Sequence, residues 1–92
     1  MTARNYLNMI RQRVSIQPIT SASGETLLNA IYRERQFELA TEGHRFFDLV
    51  RTGRAGEVLG SSGFVVGTHE VLPIPQSEID IAVGNLVQNN GY

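Results

Sequence analysis

Apolar residues recur at helical spacing through the first half of the chain and lose that rhythm after Gly53. Ala3, Leu7, Ile10 and Val14 fall three or four apart, which predicts a helix over residues 2–14 with Thr2 as its cap. Pro18 and the small polar residues of SIQPITSASGE interrupt the pattern and predict a loop. A second helix is expected over 24–42: Ser23 suits the N-cap, Glu25 suits the positive helix end, and Leu27, Leu28, Ile31, Tyr32 and Leu39 form its seam. Gly43 is the expected left-handed stop, followed by a short helix over 44–52 that closes at Gly53. A continuous helix kinked at Gly43 is the alternative.

The tail, 53–92, reads differently. RAGEVLG permits one helical turn, and GSSG is a glycine-rich loop. FVVGTHEVLPIP is β-branched and extended, and predicts short strands kept out of a sheet centre by Pro73 and Pro75. PQSEIDI predicts a helical turn capped by Ser77, and NLVQNNGY a turn-rich strap. The fold class is mainly α with an irregular, partly extended tail, in one segment spanning 1–92.

The charges complicate this pattern. In RERQFELATEGHRFFDLVRTG, Glu38 projects between Leu27 and Ile31 at about 100° per residue. Glu34 and Glu42 lie at the edges of the same sector, so the apolar stripe turns ionic partway along. A solvated face places its charges opposite the seam, which fits Arg33 and Gln36 but not Glu38. Charges inside a seam need partners. The expectation is an internal ion-pair network of Glu34, Arg35, Glu38, Glu42, Arg45, Asp48 and Arg51, with main-chain N–H groups at the next helix start as further partners.

Composition narrows the chemistry. The 92 residues are 41% hydrophobic and 18% charged, as in a globular domain. A chain this size buries only about 60–65% of its unfolded surface, so the core is thin. All eight basic residues are Arg, which favours fixed, bidentate pairing. The net charge of −1 with interleaved signs shows no basic stripe for nucleic acid. The absence of Cys excludes disulfides, thiol catalysis and cysteine metal sites, a lipid-anchored secreted protein would need a Cys that this chain lacks, and no signal peptide or membrane-length apolar run is visible.

Other candidate chemistry is thin. Paired carboxylates can hydrolyse glycosides, but they need a cleft. His44 and Asp48 share metal-ligand spacing without a third ligand. His69 has no nucleophile signature beside it, and Ser61 and Ser62 lack a nucleophile elbow. Tyr6, Tyr32 and Tyr92 fit a core better than a sugar platform. No catalytic residue, metal site or cofactor is expected, and no ligand-binding residue is assigned.

Three blocks carry a resemblance. Ile31, Glu34, Arg35, Glu38, Leu39, Ala40, Glu42, Gly43, Arg45, Asp48, Leu49 and Arg51 form the first, Pro73-Ile74-Pro75 with Glu78-Ile79 the second, and Leu86, Gln88, Asn89, Gly91 and Tyr92 the third. In that order they resemble the C-terminal end of the SusD/RagB family, outer-membrane nutrient-binding lipoproteins of Bacteroidetes; YLNMIRQR resembles the helix just upstream. Asn90 departs from the family's proline, and IAVGN replaces its Asn-Pro segment.

The resemblance implies the C-terminal portion of a helical-repeat fold, and a non-enzymatic protein that captures glycans or other nutrients as a lid on a TonB-dependent, SusC-like transporter at the outer membrane. Family members are several times longer and carry a signal and a lipidated Cys, so this chain is expected to be a C-terminal fragment, a truncated product or an excised piece. A stand-alone helical interaction module is the alternative. With the upstream scaffold missing, Phe37 and Phe47 are expected to support a homodimer.

Overall fold

The structure, a computed structural model, describes residues 1–92. The chain divides into two compact units, Met1–Arg45 and Phe46–Tyr92.

In the first unit, helix α1 spans Ala3–Arg13 and helix α2 spans Gly24–Glu38, and the two pack together. Thr2 caps α1 as expected: its hydroxyl accepts from the Asn5 N–H at 3.3 Å. The intervening loop is stitched to α1 by side chains. Asn8 donates to the Ile19 carbonyl and accepts from the Ile19 N–H, both at 2.8 Å. Arg4 donates to the Thr20 carbonyl, and Arg11 Nε to the Gln17 carbonyl at 2.8 Å. Loop polar groups that would otherwise need water are thereby satisfied. Leu7 is the residue that α1 buries.

Helix α2 differs from expectation at both ends. Ser23 occupies the N-cap position but makes no side-chain cap bond. The helix stops at Glu38 rather than 42, with Leu39 as C-cap, and Glu42 N–H then closes a turn onto the Leu39 carbonyl. Thr41 takes φ 67, so a left-handed residue arrives before Gly43, which is itself left-handed as expected at φ 78. Ala40, Thr41, Glu42 and Gly43 are all exposed. With nothing to bury, the final turn gains no packing energy, and packing is what holds most helices in proteins.

In the second unit, helix α3 (Arg45–Arg51, its first residue at the unit boundary) buries Leu49 completely, at 0% exposure. It closes as expected at Gly53, which takes φ 70. Gly53 N–H donates to Val50 O and Arg54 N–H to Leu49 O at 2.8 Å, satisfying carbonyls that the helix end leaves open. Helix α4 (Ala55–Leu59) runs into a 3-10 turn at Gly60–Ser62.

The expected short strands are absent: no residue of the tail is in a strand. The segment after Phe64 curls on itself instead. Thr68 and His69 N–H groups both donate to the Val65 carbonyl, and the Gly67 N–H donates to the Glu70 carboxylate at 2.9 and 3.0 Å. Each local bond removes a donor that a ladder would require.

Helix α5 (Gln76–Ile81) has Pro75, not Ser77, at its N-cap position and no side-chain cap bond. The final residues form the expected strap, anchored by side chains. Gln88 accepts from Ile74 N–H at 2.8 Å and donates to Ile74 O at 2.9 Å, and Asn89 donates to Leu72 O at 2.7 Å. The Tyr92 hydroxyl donates to Val71 O at 2.8 Å.

Candidate functional site

Packing α1 on α2 leaves an open groove of about 450 Å³ in the first unit. Ala3, Tyr6, Leu7 and Ile10 of α1, with Ile31 and Leu39, supply apolar lining, and Glu34, Arg35 and Glu38 supply the charged part. The seam that turns ionic in the sequence therefore lines one groove.

Glu34 Oε2 lies 2.6 Å from Arg11 Nη1, with side-chain exposures of 12% and 20%. Glu38 pairs with Arg13, at 35% and 61% exposure. Two partners of these glutamates, Arg11 and Arg13, come from α1 and are ones the sequence did not point to. Helical periodicity places the glutamates in the seam but cannot say which helix faces it. Arg11 and Arg13 lie 23 and 25 residues away, and no local signal marks them. Charge burial is also shallower than a fully internal clasp would give: no charged residue is fully buried.

The other expected members are distributed. Arg35 and Arg45 are half-buried and Glu42 is exposed, all in the first unit. Asp48 accepts from Arg51 Nη2 at 3.1 Å within α3 of the second unit. This is an i, i+3 helix pair, ordinarily a surface contribution of a few tenths of a kcal/mol, about 0.2–0.5. His44 is exposed, and no group of three or more His, Asp or Glu side chains is placed to hold a metal. Ser61 and Ser62 sit exposed on the 3-10 turn.

The second unit holds a row of rings absent from the sequence reading. Phe47, Phe46, Phe64, His69 and Tyr92 follow one another edge-on, with successive centroids 6.0, 6.1, 5.8 and 6.2 Å apart. Such T-shaped contacts suit the ring quadrupoles. The sequence separations are too wide for helical periodicity to reveal the row.

Family comparison gives this geometry a context. The family model described as the SusD family matches residues 1–69. The chain belongs to the SusD family. It is similar to SusD-like protein P2 of Formosa agariphila, at 33% identity over 105 aligned residues, 98% of this chain and 21% of the relative. SusD-like protein P25 of the same organism is 32% identical, over 98% of this chain and 20% of its own. A solved laminarin-binding SusD-like protein superposes with a TM-score of 0.82 at 49% identity, covering 98% of this chain and 18% of that one. The chain thus spans about a fifth of the length of these SusD-like relatives. The helical, strand-free architecture matches that neighbour. No helix is long and apolar enough to cross a membrane.

Proposed function

We propose that this chain is the C-terminal structural portion of a SusD-like glycan-capture protein that acts without catalysis beside a TonB-dependent, SusC-like transporter at the outer membrane. The observation that carries this reading is the 49% identity and 0.82 TM-score, over 98% of the chain, with a laminarin-binding SusD-like protein. In this reading the charged residues Glu34, Arg35, Glu38, Glu42, Arg45, Asp48 and Arg51 are structural pairs rather than acid–base catalysts. The two pairs joining α1 to α2 support that role, because each spends its carboxylate on a guanidinium.

Isothermal titration with laminarin and a panel of other oligosaccharides tests the reading. A SusD-like protein containing this sequence within its full length is expected to bind at least one of them, and the 92-residue chain none. Failure of the longer protein to bind any glycan, or hydrolysis of one by this chain, would overturn it.

A second reading, a stand-alone module that associates through apolar helix faces, draws on the exposure of Phe37 at 62% and Phe47 at 70%. Large exposed apolar patches mark interaction surfaces, and a symmetric homodimer is the commonest arrangement. Analytical ultracentrifugation across a dilution series distinguishes the two. A dimer weakened by Phe37→Ser and Phe47→Ser favours the module, and a monomer at every concentration rules it out.

A further inference from the structure

We propose that His69 is a proton-operated latch for the end of the tail: neutral, it holds the turn on which Tyr92 rests; protonated, it lets Tyr92 go. The turn depends on the imidazole directly. His69 Nδ1 accepts the Val65 N–H at 2.8 Å, while the Val65 carbonyl takes the N–H groups of Thr68 and His69. Nδ1 must therefore be bare, and the neutral ring carries its hydrogen on Nε2.

The last two residues lie on this turn. Tyr92 sets its ring edge-on to His69 at 6.2 Å, and its hydroxyl reaches Val71 O at 2.8 Å. Gly91 crosses so close that a Cβ there would come 2.3 Å from Thr68 Oγ1. The imidazole also meets the Phe64 ring, with centroids 5.8 Å apart.

A protonated imidazole carries hydrogen on both nitrogens. Its Nδ1–H then faces the Val65 N–H, donor against donor, and the ring must turn out of the bond. Turning removes the edge against which Tyr92 rests. Two titratable groups face His69. The Glu70 carboxylate, next along the turn, is held by the Gly67 N–H through both oxygens. The Tyr92 phenol on the tail donates its hydrogen to Val71 O. Gln88 and Asn89 hold Ile74 and Leu72 through carboxamides, which do not titrate, so the opening is confined to the last residues. Histidine is the side chain suited to such a device, since it changes charge between about pH 5 and 8.

The test is a proton–nitrogen NMR titration of the 92-residue chain across that range. The Val65 amide and the Tyr92 ring resonances are expected to move in step with the His69 ring. Tyr6 and Tyr32 should not follow, and the Val65 amide protection factor should fall about five- to tenfold, as for one lost hydrogen bond. His69→Asn offers an oxygen acceptor that gains no proton, and its Val65 and Tyr92 signals should stay flat. Val65 or Tyr92 signals that ignore the His69 titration in the parent chain would overturn the proposal without any variant. So would a His69→Asn chain that titrates as the parent does.

Discussion

Arg11 and Glu34 meet at 2.6 Å between α1 and α2, and the same guanidinium donates through Nε to the Gln17 carbonyl at 2.8 Å. One cation therefore joins helix, loop and helix. Its side chain is 20% exposed and that of Glu34 12%, so water screens the contact only in part. Hydrogen bonds to charged groups at such sites contribute about 1.5–3 kcal/mol. Arg11→Ala is expected to lower unfolding free energy by that amount. Arg13→Ala, whose pair with Glu38 is 61% and 35% exposed, should cost under about 1 kcal/mol. Urea unfolding of both variants checks the contrast, and equal losses would mean that partial burial does not set the worth of these pairs.

Gln88 serves Ile74 as both donor and acceptor, which a carboxylate of the same length cannot do because it only accepts. Gln88→Ala should lose both bonds, at about 1–2 kcal/mol in total. Gln88→Glu keeps the acceptor and sets a carboxylate against the Ile74 carbonyl, so it should not restore the parent stability. Thermal melts, with amide exchange at Ile74 as the local readout, rank the variants; a Glu variant matching the parent would refute the two-bond account.

Thr41 sits at φ 67, a conformation that a β-branched residue tolerates poorly. Thr41→Gly is expected to stabilise the chain by about 1 kcal/mol, the order of the strain released. Gly91→Ala should do the reverse, since φ is 88 there and Thr68 blocks the added carbon. Chemical denaturation of the pair, read against the parent, decides both signs.

Glu70 provides the pH dependence. The Gly67 N–H on its carboxylate and then its own backbone N–H hold it below the ordinary carboxylate range; desolvation opposes them, and the charge of His69 adds the least. A depressed folded-state value means that its contribution is fully present above the ordinary carboxylate range and is lost as pH falls through the lowered one. Glu70→Gln should flatten that part of the acid limb of stability against pH. An acid limb identical to that of the parent would show that the Gly67 contact has no thermodynamic weight.

Much of the helical framework was legible in the sequence. The spacing of Ala3, Leu7 and Ile10 gave α1 to within a residue at each end, and Thr2 caps it as a hydroxyl at that position should. Gly53 ends α3 because the left-handed turn is nearly free for glycine. The ionic seam was visible as well, since Glu34 and Glu38 fall on the face that packs toward α1. These features depend on neighbours within a few residues, and periodicity and local sterics report such neighbours directly.

The rest depended on residues far apart in the chain. The C-terminal limit of α2 was set by the lack of anything to bury Ala40 to Gly43, and the tail found turns in place of strands because His69 and Glu70 took the amide bonds a ladder would need. The sequence by itself determined a SusD-family helical chain with an ionic stripe on one helix face. Only the tertiary structure decided that Arg11 and Arg13 answer Glu34 and Glu38, that Asn8 and Gln88 each clasp one distant isoleucine, and that four other rings line up with Tyr92. The physical reason is that a side chain's partner across a fold is chosen by geometry among several groups of equal chemistry, and sequence spacing carries no record of that choice.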